Sequence, residues 1–255
     1  MEWVKVSDID SECPTLPPAR YEHTALTVSR EDQEEMWILY GAGEKGPLQD
    51  VWTYNLENNQ WSECVCQGLK PSPRVIRSVG FTNNRIYIFG GGLHNNIPVK
   101  DNATYCLDLN SLFWVMVSGP KALAPQRRLG HSMTSIDSKI YLFGGMANDG
   151  VFDDLWVFDT VSNKWSQPET TGDQPGSRCA HSAVAMDHLI YIYGGMTGLE
   201  VHDSAYCLDT KTMIWSFVGN FKRRLDHAVV KFENSMYVFG GMDLSNVFND
   251  SFQIL

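Results

Sequence analysis

Four histidines of the chain share a spacing that suggests chemistry, because each lies three residues after an arginine. The pairs are Arg20 with His23, Arg128 with His131, Arg178 with His181, and Arg224 with His227. Imidazole is both a general base and a common metal ligand, so four such side chains in one place would make a metal site. The same position after Arg74 is filled by Arg77. A residue that recurs once per repeat indicates architecture, and we predict no metal site.

Other motifs that carry chemistry are missing or follow the same repeat. The chain contains no G-x-S-x-G, H-E-x-x-H or P-loop sequence. Asp153 and Asp154 are neighbours on a predicted strand and therefore point to opposite faces. Cys64 and Cys66 form a C-x-C without a second pair at zinc spacing. The aspartates that recur at one position per repeat, as turn caps would, are Asp108, Asp159 and Asp209. The sequence predicts no catalytic residue and no cofactor.

The elements that position these residues repeat with a period near fifty. The first repeated marker is a glycine after an apolar segment, at Gly41, Gly90, Gly144, Gly194 and Gly240, with steps of 49, 54, 50 and 46 residues. The second is a tryptophan, at Trp61, Trp114, Trp165 and Trp215. Two markers in the same phase, with four short predicted strands per unit, indicate β-propeller blades. We name the strands of a unit a to d in chain order.

Strand b explains why paired glycines follow it. Residues 140–143 are apolar on both faces, so the sheet must be covered on both sides, as neighbouring blades would do. Blades crowd together near the axis, where glycine permits close backbone approach and positive φ. No G-x-G-x-x-G leads into a helix, which argues against phosphate binding. The structural pairs are Gly90 and Gly91, Gly144 and Gly145, Gly194 and Gly195, and Gly240 and Gly241.

The two ends of the chain fit together as one blade. MEWVKV matches strand d, with Trp3 in the tryptophan position, and the last unit stops at Leu255 after strand c. We therefore predict an all-β propeller of five four-stranded antiparallel blades, a single domain over residues 1–255. The N-terminal strand would complete the C-terminal blade and close the ring.

Composition argues against several classes of partner. A formal charge of −10 disfavours nucleic acid and anionic membranes, which attract basic surfaces. No apolar segment is long enough to span a membrane or serve as a signal peptide, so we expect a soluble cytoplasmic protein without direct membrane insertion. The cysteines show no disulfide framework: Cys106 and Cys207 align with Tyr54 and Phe158 at a core position.

The chain resembles the kelch-repeat β-propellers over essentially its whole length. The Arg-x-x-His start, the IYIYGGM strand and the downstream aspartate and tryptophan carry the resemblance. Two positions depart from the kelch pattern. Ala42 replaces the second glycine of the first unit, and Arg77 replaces the histidine of the second unit. The segments PPARYEH, KWSQPET, CAHSAVAM, YIYGGMTG, RRLDHAVV and VFGGM follow the order found in members that bind a GTP-bound late-endosomal Rab GTPase. Those members carry six units, so five units fit either a natural five-bladed ring or a form lacking one N-terminal blade.

This resemblance implies a non-enzymatic interaction scaffold that binds a GTP-bound Rab in endosome to trans-Golgi network transport. Such a protein would lie on endosomal membranes peripherally, through its partner. Two alternatives remain: a kelch adaptor for another protein, and a metal-dependent kelch enzyme. Because strands alternate in direction, the d-to-a and b-to-c loops emerge on one face, where apolar anchors beside basic residues suit a protein interface. The candidate partner-binding residues are His94, Ile97, Lys100, Leu123, Arg127, Leu199, Val201, Phe221 and Arg223.

Overall fold

The structure is a computed structural model that describes residues 16–30, 33–76, 78–93, 97–119 and 122–254. Every regular element within these ranges is a β-strand. The strands form five successive antiparallel blades, and the sheets of blades 2 and 4 each gain one short parallel strand at the outer edge. The prediction of an all-β, five-bladed propeller is therefore confirmed. The assignment of all 255 residues to a single domain stays a prediction.

The strand bounds follow the fifty-residue repeat. Blade 1 contains β1 (Thr24–Arg30), β2 (Gln33–Leu39), β3 (Ala42–Gly43), β4 (Gly46–Pro47), β5 (Val51–Asn55) and β6 (Gln60–Glu63), and β7 (Gln67–Gly68) follows. Blade 2 contains β8 (Gly80–Thr82), β9 (Arg85–Phe89), β10 (Gly92–Leu93), β11 (Ile97–Pro98), β12 (Thr104–Asp108) and β13 (Phe113–Ser118). Blade 3 contains β14 (Ser132–Ile136), β15 (Lys139–Phe143), β16 (Met146–Ala147), β17 (Gly150–Val151), β18 (Leu155–Asp159) and β19 (Lys164–Ser166), and β20 (Thr171–Gly172) follows. Blade 4 contains β21 (Ser182–Met186), β22 (Leu189–Tyr193), β23 (Met196–Thr197), β24 (Glu200–Val201), β25 (Ser204–Asp209) and β26 (Ile214–Asn220). Blade 5 contains β27 (Ala228–Phe232), β28 (Ser235–Phe239) and β29 (Ser251–Ile254).

The apolar core lies in the gaps between blades. Phe89 of blade 2 packs on Trp165 of blade 3 with ring centroids 5.3 Å apart. Phe143 of blade 3 packs on Trp215 of blade 4 in the same way, at 5.2 Å. The strand d tryptophans of blades 3 and 4 thus face the preceding blade, and buried Trp114 does the same between blades 1 and 2. Both faces of an inner sheet are covered by neighbouring blades, as the two-sided apolar strand b requires.

The strand register corrects the expected place of two cysteines. Phe158, Leu107 and Leu208 share one position, because each lies opposite an isoleucine of strand b. Cys106 and Cys207 are one residue earlier, opposite tyrosines. The predicted alignment with Phe158 is therefore wrong by one residue, and alternation turns the two cysteines towards the following blade.

The glycine pairs allow close approach between blades. A Cβ on Gly144 would lie 2.5 Å from the carbonyl oxygen of Arg178 in the next blade, and the φ of Gly144 is +63°. In the first unit the corresponding residue is Tyr40, with φ of +60°, and Gly41 is the second member of the pair. The expectation that Ala42 replaces the second glycine is therefore wrong. Ala42 comes after the pair, as the first residue of β3, and forms an isolated β-bridge with Tyr21.

The face of blade 5 turned away from blade 4 is uncovered by the described residues. Tyr237 is 36% exposed, whereas Tyr141, at the same position of blade 3, is 5% exposed. Val230 and Phe232 on this face are also exposed. The predicted closing strand, residues 1–6 with Trp3, lies outside the described residues, so ring closure through it stays a prediction.

Candidate functional site

A buried arginine begins every unit and ties the loop face to the sheet. Arg128 donates to the carbonyl of Gly144 at 2.8 Å, and its Nη2 donates to Asp154 at 2.9 Å. Burial alone would raise the pKa of Asp154, but its hydrogen bonds and attraction to Arg128 outweigh burial and lower it. The four arginine–aspartate pairs are Arg20 with Asp50, Arg74 with Asp101, Arg128 with Asp154, and Arg224 with Asp250. Each pair joins the start of strand a to the end of the b-to-c loop.

Blade 4 departs from this arrangement. Ser204 stands where the other blades have aspartate, and its Oγ lies 3.3 Å from Nη2 of Arg178. Arg178 donates instead to the carbonyls of Gly194 at 3.0 Å and of Pro175 at 2.5 Å. Burial lowers the pKa of the Arg178 guanidinium to about 10. Blade 4 therefore holds a buried cation that is partnered by dipoles and not by a carboxylate.

Three of the repeated histidines, His131, His181 and His227, are buried in separate gaps between blades, whereas His23 is exposed. The His181 ring packs edge-on to Phe143 of the preceding blade at 5.7 Å, and its Nε2 lies 2.9 Å from Oγ of Ser132. His227 packs on Tyr193 at 4.9 Å in the same way. Burial, and then the charge of Arg128, lowers the pKa of His131 to about 3. Within the described ranges, no group of three His, Cys, Asp or Glu side chains is spaced to hold a metal ion.

The starts of the inner strands of all five blades line a central channel of about 600 Å³. Backbone hydrogen bonds run from blade to blade around it. Ala180 N–H donates to Gly130 at 2.8 Å, and Asp226 N–H donates to Ala180 at 3.0 Å. Ala180 and Asp226 adopt left-handed φ values of +57° and +55° to make these bonds. The channel lining combines backbone and small side chains with the four repeated histidines, Glu22 and Asp226.

The loop face carries most of the candidate partner-binding residues. Leu199 is 83% exposed at the tip of the β23–β24 hairpin. The other exposed candidates are Ile97, Lys100, Leu123, Arg127 and Arg223. His94 lies outside the described residues. These side chains are spread over the loops of blades 2 to 4 and therefore do not meet in a single pocket.

Two candidates are less available than the sequence suggested. Val201 is only 6% exposed, because the β23–β24 hairpin pairs it with Met196 and turns it inwards. The expectation that Val201 is exposed is wrong. Phe221 is half-buried between Tyr193 and Phe252, with ring centroids at 5.9 and 6.4 Å.

Sequence reasoning missed two apolar residues of the loop face. Leu244 and Val247 are exposed in the b-to-c loop of blade 5. Nearby, Arg223 lies 3.7 Å from Asp203, and Lys222 donates to Asp250 at 2.8 Å. The only sequence signal was an apolar residue in each half of the DLSNVFND loop, without a basic neighbour. This part of the loop face combines apolar anchors with fixed charges, which suits a protein partner.

The fold and its repeated arginine, histidine and glycine positions define a β-propeller built from kelch repeats. Residues 78–241 match the KLHDC2/KLHL20/DRC7 Kelch-repeats domain, and the chain belongs to this family. No helix in the described part of the chain is long and apolar enough to cross a membrane.

Several curated proteins are similar to the chain. Tip elongation aberrant protein 1 of Schizosaccharomyces pombe is 32% identical over 255 residues, which cover 97% of this chain and 18% of that protein. The Rab9 effector protein with kelch motifs of Homo sapiens is 34% identical over 151 residues, covering 58% of this chain and 39% of that protein. Host cell factor of Drosophila melanogaster is 30% identical over 176 residues, which cover 62% of this chain and 11% of that protein. The chain spans less than half the length of each relative.

Proposed function

We propose that the chain is a non-enzymatic interaction module whose loop face binds a GTP-bound Rab GTPase in transport from endosomes to the trans-Golgi network. The observation that carries this proposal is the set of exposed apolar loop tips, Leu123 and Leu199, with Arg127 and Arg223 on the same face. Similarity to a Rab9 effector supports the choice of partner. Such a role would bring the protein to endosomal membranes through its partner.

The anchoring of the loops suits selective binding. The arginine–aspartate pairs of blades 1, 2, 3 and 5 fix the loop stems before a partner arrives, so less conformational entropy is lost on binding. The switch segments of a GTPase are ordered by the γ-phosphate and released on hydrolysis. A rigid loop face would therefore bind the GTP form and reject the mobile GDP form.

Calorimetry with a panel of purified Rab GTPases, each loaded with a GTP analogue or with GDP, tests the proposal. We expect one GTP-loaded member to bind and its GDP form to bind at least about tenfold more weakly, a difference of about 1.4 kcal/mol. Absence of binding to every GTP-loaded member, by a chain shown to be folded, would refute the Rab proposal.

Charge reversal locates the interface. Arg127→Glu with Arg223→Glu should weaken binding, since both side chains are exposed on the loop face. Lys211→Glu is the matched control, because Lys211 is exposed in the c-to-d turn on the opposite face. Unchanged affinity in a folded double variant would rule out this part of the loop face.

A second candidate is an adaptor for a different protein. It is favoured by the similarity to tip elongation aberrant protein 1 over nearly the whole chain, and that name states no Rab. In that case no Rab of the panel binds, but the loop-face variants no longer bind a different protein that the wild-type chain binds. Metal analysis of the purified protein addresses the enzyme alternative, which requires a stoichiometric ion.

A further inference from the structure

Blade 2 carries a fifth strand on its outer edge. The short β7, which comes from the loop after blade 1, pairs in parallel with β13. Gln67 N–H donates to the carbonyl of Leu112 and Leu69 N–H to that of Trp114, both at 2.9 Å. Gly68 lies between the two donors with φ of +86°. A Cβ on Gly68 would lie 2.2 Å from the Trp114 carbonyl oxygen, so only glycine fits this position.

Blade 4 repeats this arrangement. Thr171 N–H donates to Met213 at 3.1 Å and Asp173 N–H to Trp215 at 2.9 Å, so β20 pairs in parallel with β26. Gly172 has φ of +85°, and a Cβ there would lie 2.1 Å from the Trp215 carbonyl oxygen. Two loops of the chain therefore cap an outer edge through the same glycine-centred pattern.

The outer edge of blade 3 has the same acceptors but no cap. Asn163 and Trp165 occupy the positions of Met213 and Trp215, and Asn163 has a similar left-handed φ of +55°. Within the described ranges, no backbone N–H from a preceding loop donates to these two residues, and β19 is the last strand of its sheet. The edge presents two carbonyls at the spacing that β7 and β20 recognise on the other blades.

Ala122 explains why the preceding loop leaves this edge open. It lies six residues before the unit's arginine, as Gly68 and Gly172 do in their units. Its Cβ would collide with the carbonyl of Trp165 in the capping position. Ala122 N–H donates instead to Gly119 at 3.0 Å, which closes a local turn.

An apolar groove begins beside the open edge. It has a volume of about 440 Å³, and its lining includes Asn163, Tyr87, Cys106 and Val117. In the cap of blade 2, the residue before the first donor is Cys66, which is buried in the core between blades 1 and 2. A segment bound to blade 3 in the same way would place the side chain two residues before its glycine against this groove.

We propose that the outer edge of blade 3 binds an extended segment of a partner protein that carries an apolar residue two positions before a glycine. The segment adds a parallel strand to β19 and donates two backbone N–H groups to Asn163 and Trp165. Strand addition of this kind takes affinity from the backbone and specificity from pockets beside it. The surface lies on the circumference of the propeller, away from the loop face, so both surfaces can be occupied together.

A peptide copied from the chain's own cap tests the proposal. The probe is VCQGLKP, residues 65–71, titrated under reducing conditions into the ¹⁵N-labelled full chain and followed by NMR. We expect saturable shifts at residues 163–166, with a dissociation constant on the order of 1 mM from two backbone hydrogen bonds and the burial of the cysteine side chain in the groove. The peptide VCQALKP should bind at least about tenfold more weakly, because its alanine Cβ meets the carbonyl of Trp165.

Ala122→Gly is the matched variant of the protein. It lets the chain's own loop close over β19, so the peptide should bind at least about tenfold more weakly than to the wild-type chain. Absence of shifts at residues 163–166 at about 10 mM peptide, an order of magnitude above that expected constant, would overturn the proposal. Equal binding of the two peptides, equal binding to Ala122→Gly, or shifts confined to β29 would also overturn it.

Discussion

Replacing Ser204 with aspartate should stabilise the chain. Four blades pair their buried arginine with an aspartate, and only in blade 4 of the described chain does serine take that place. Asp154 of blade 3 shows the geometry that the new side chain would adopt, with Oδ2 at 2.9 Å from Nη2 of Arg128. Ser204→Asp therefore supplies a carboxylate to Arg178 at a position that the fold already accommodates.

The size of the effect follows from the burial of Arg178. Burial lowers the pKa of its guanidinium from 12.5 to about 10. One pKa unit corresponds to about 1.4 kcal/mol, so relieving this penalty fully would contribute at most about 3 kcal/mol. The new carboxylate loses solvation itself, which leaves an expected net gain of about 1–2 kcal/mol in the free energy of unfolding. In a domain of this length, that gain raises Tm by about 2–8 °C.

Urea unfolding of matched variants measures this gain. Ser204→Asn is the control, because it has nearly the shape of aspartate without the charge. Asp154→Ser is the reciprocal change in blade 3 and should lower the free energy of unfolding by about 1–3 kcal/mol, since it gives Arg128 the serine partner that Arg178 has. If Ser204→Asp is no more stable than Ser204→Asn, the argument from the missing carboxylate is refuted.

Three further predictions concern the gaps between blades. Gly144→Ala should destabilise the chain by about 2–4 kcal/mol in urea unfolding, because the added Cβ meets the Arg178 carbonyl; a loss below about 0.5 kcal/mol would contradict the close approach. Burial lowers the pKa of His227 to about 3 from 6.5, so its contribution to stability is complete above pH 6.5 and is lost as the pH falls towards about 3. Urea unfolding should therefore show that the free energy of unfolding falls from pH 7 to pH 5 by up to about 2 kcal/mol less in His227→Asn than in the wild-type chain; an equal fall in both would contradict the assignment. Tyr141→Ala should cost about 3–5 kcal/mol and Tyr237→Ala about 1 kcal/mol, since only Tyr141 is covered by the next blade; equal losses by calorimetry would show that blade 5 is covered in solution.

Much of the fold could be predicted because the repeat is visible in residue types. The tryptophan and glycine periods located the blades, since both residues recur at defined places in the gaps between blades. The register within a blade was less visible. Tyr40 adopts the left-handed φ that glycine takes elsewhere, held by burial and by a hydrogen bond from its hydroxyl to Pro71 at 3.1 Å. Residue type alone therefore misplaced Gly41 and Ala42 by one position.

The parts of the site that escaped prediction depend on contacts between distant residues. Arg128 and Asp154 are 26 residues apart, and so are Arg224 and Asp250. The recurrence of this interval in the aligned repeats was a sequence signal that could have predicted the arginine–aspartate pairs. The inward turn of Val201 depends on a two-residue hairpin, and the open edge of blade 3 depends on the Cβ of Ala122, which would meet the Trp165 carbonyl in the capping position. The hairpin has no pattern in residue type that separates it from an ordinary loop. The open edge does have one, since glycine lies six residues before Arg74 and Arg178 and alanine six residues before Arg128.

The uncovered face of blade 5 bears on how such a propeller changes in evolution. Its tyrosine and aliphatic side chains match those that four preceding blades bury against the next unit, so one face of each repeat is complementary to the opposite face of another. A unit of this kind can be duplicated or deleted whole, because every new junction reuses an interface that already exists. Blade number can therefore change by recombination, while the loops diverge separately on each blade.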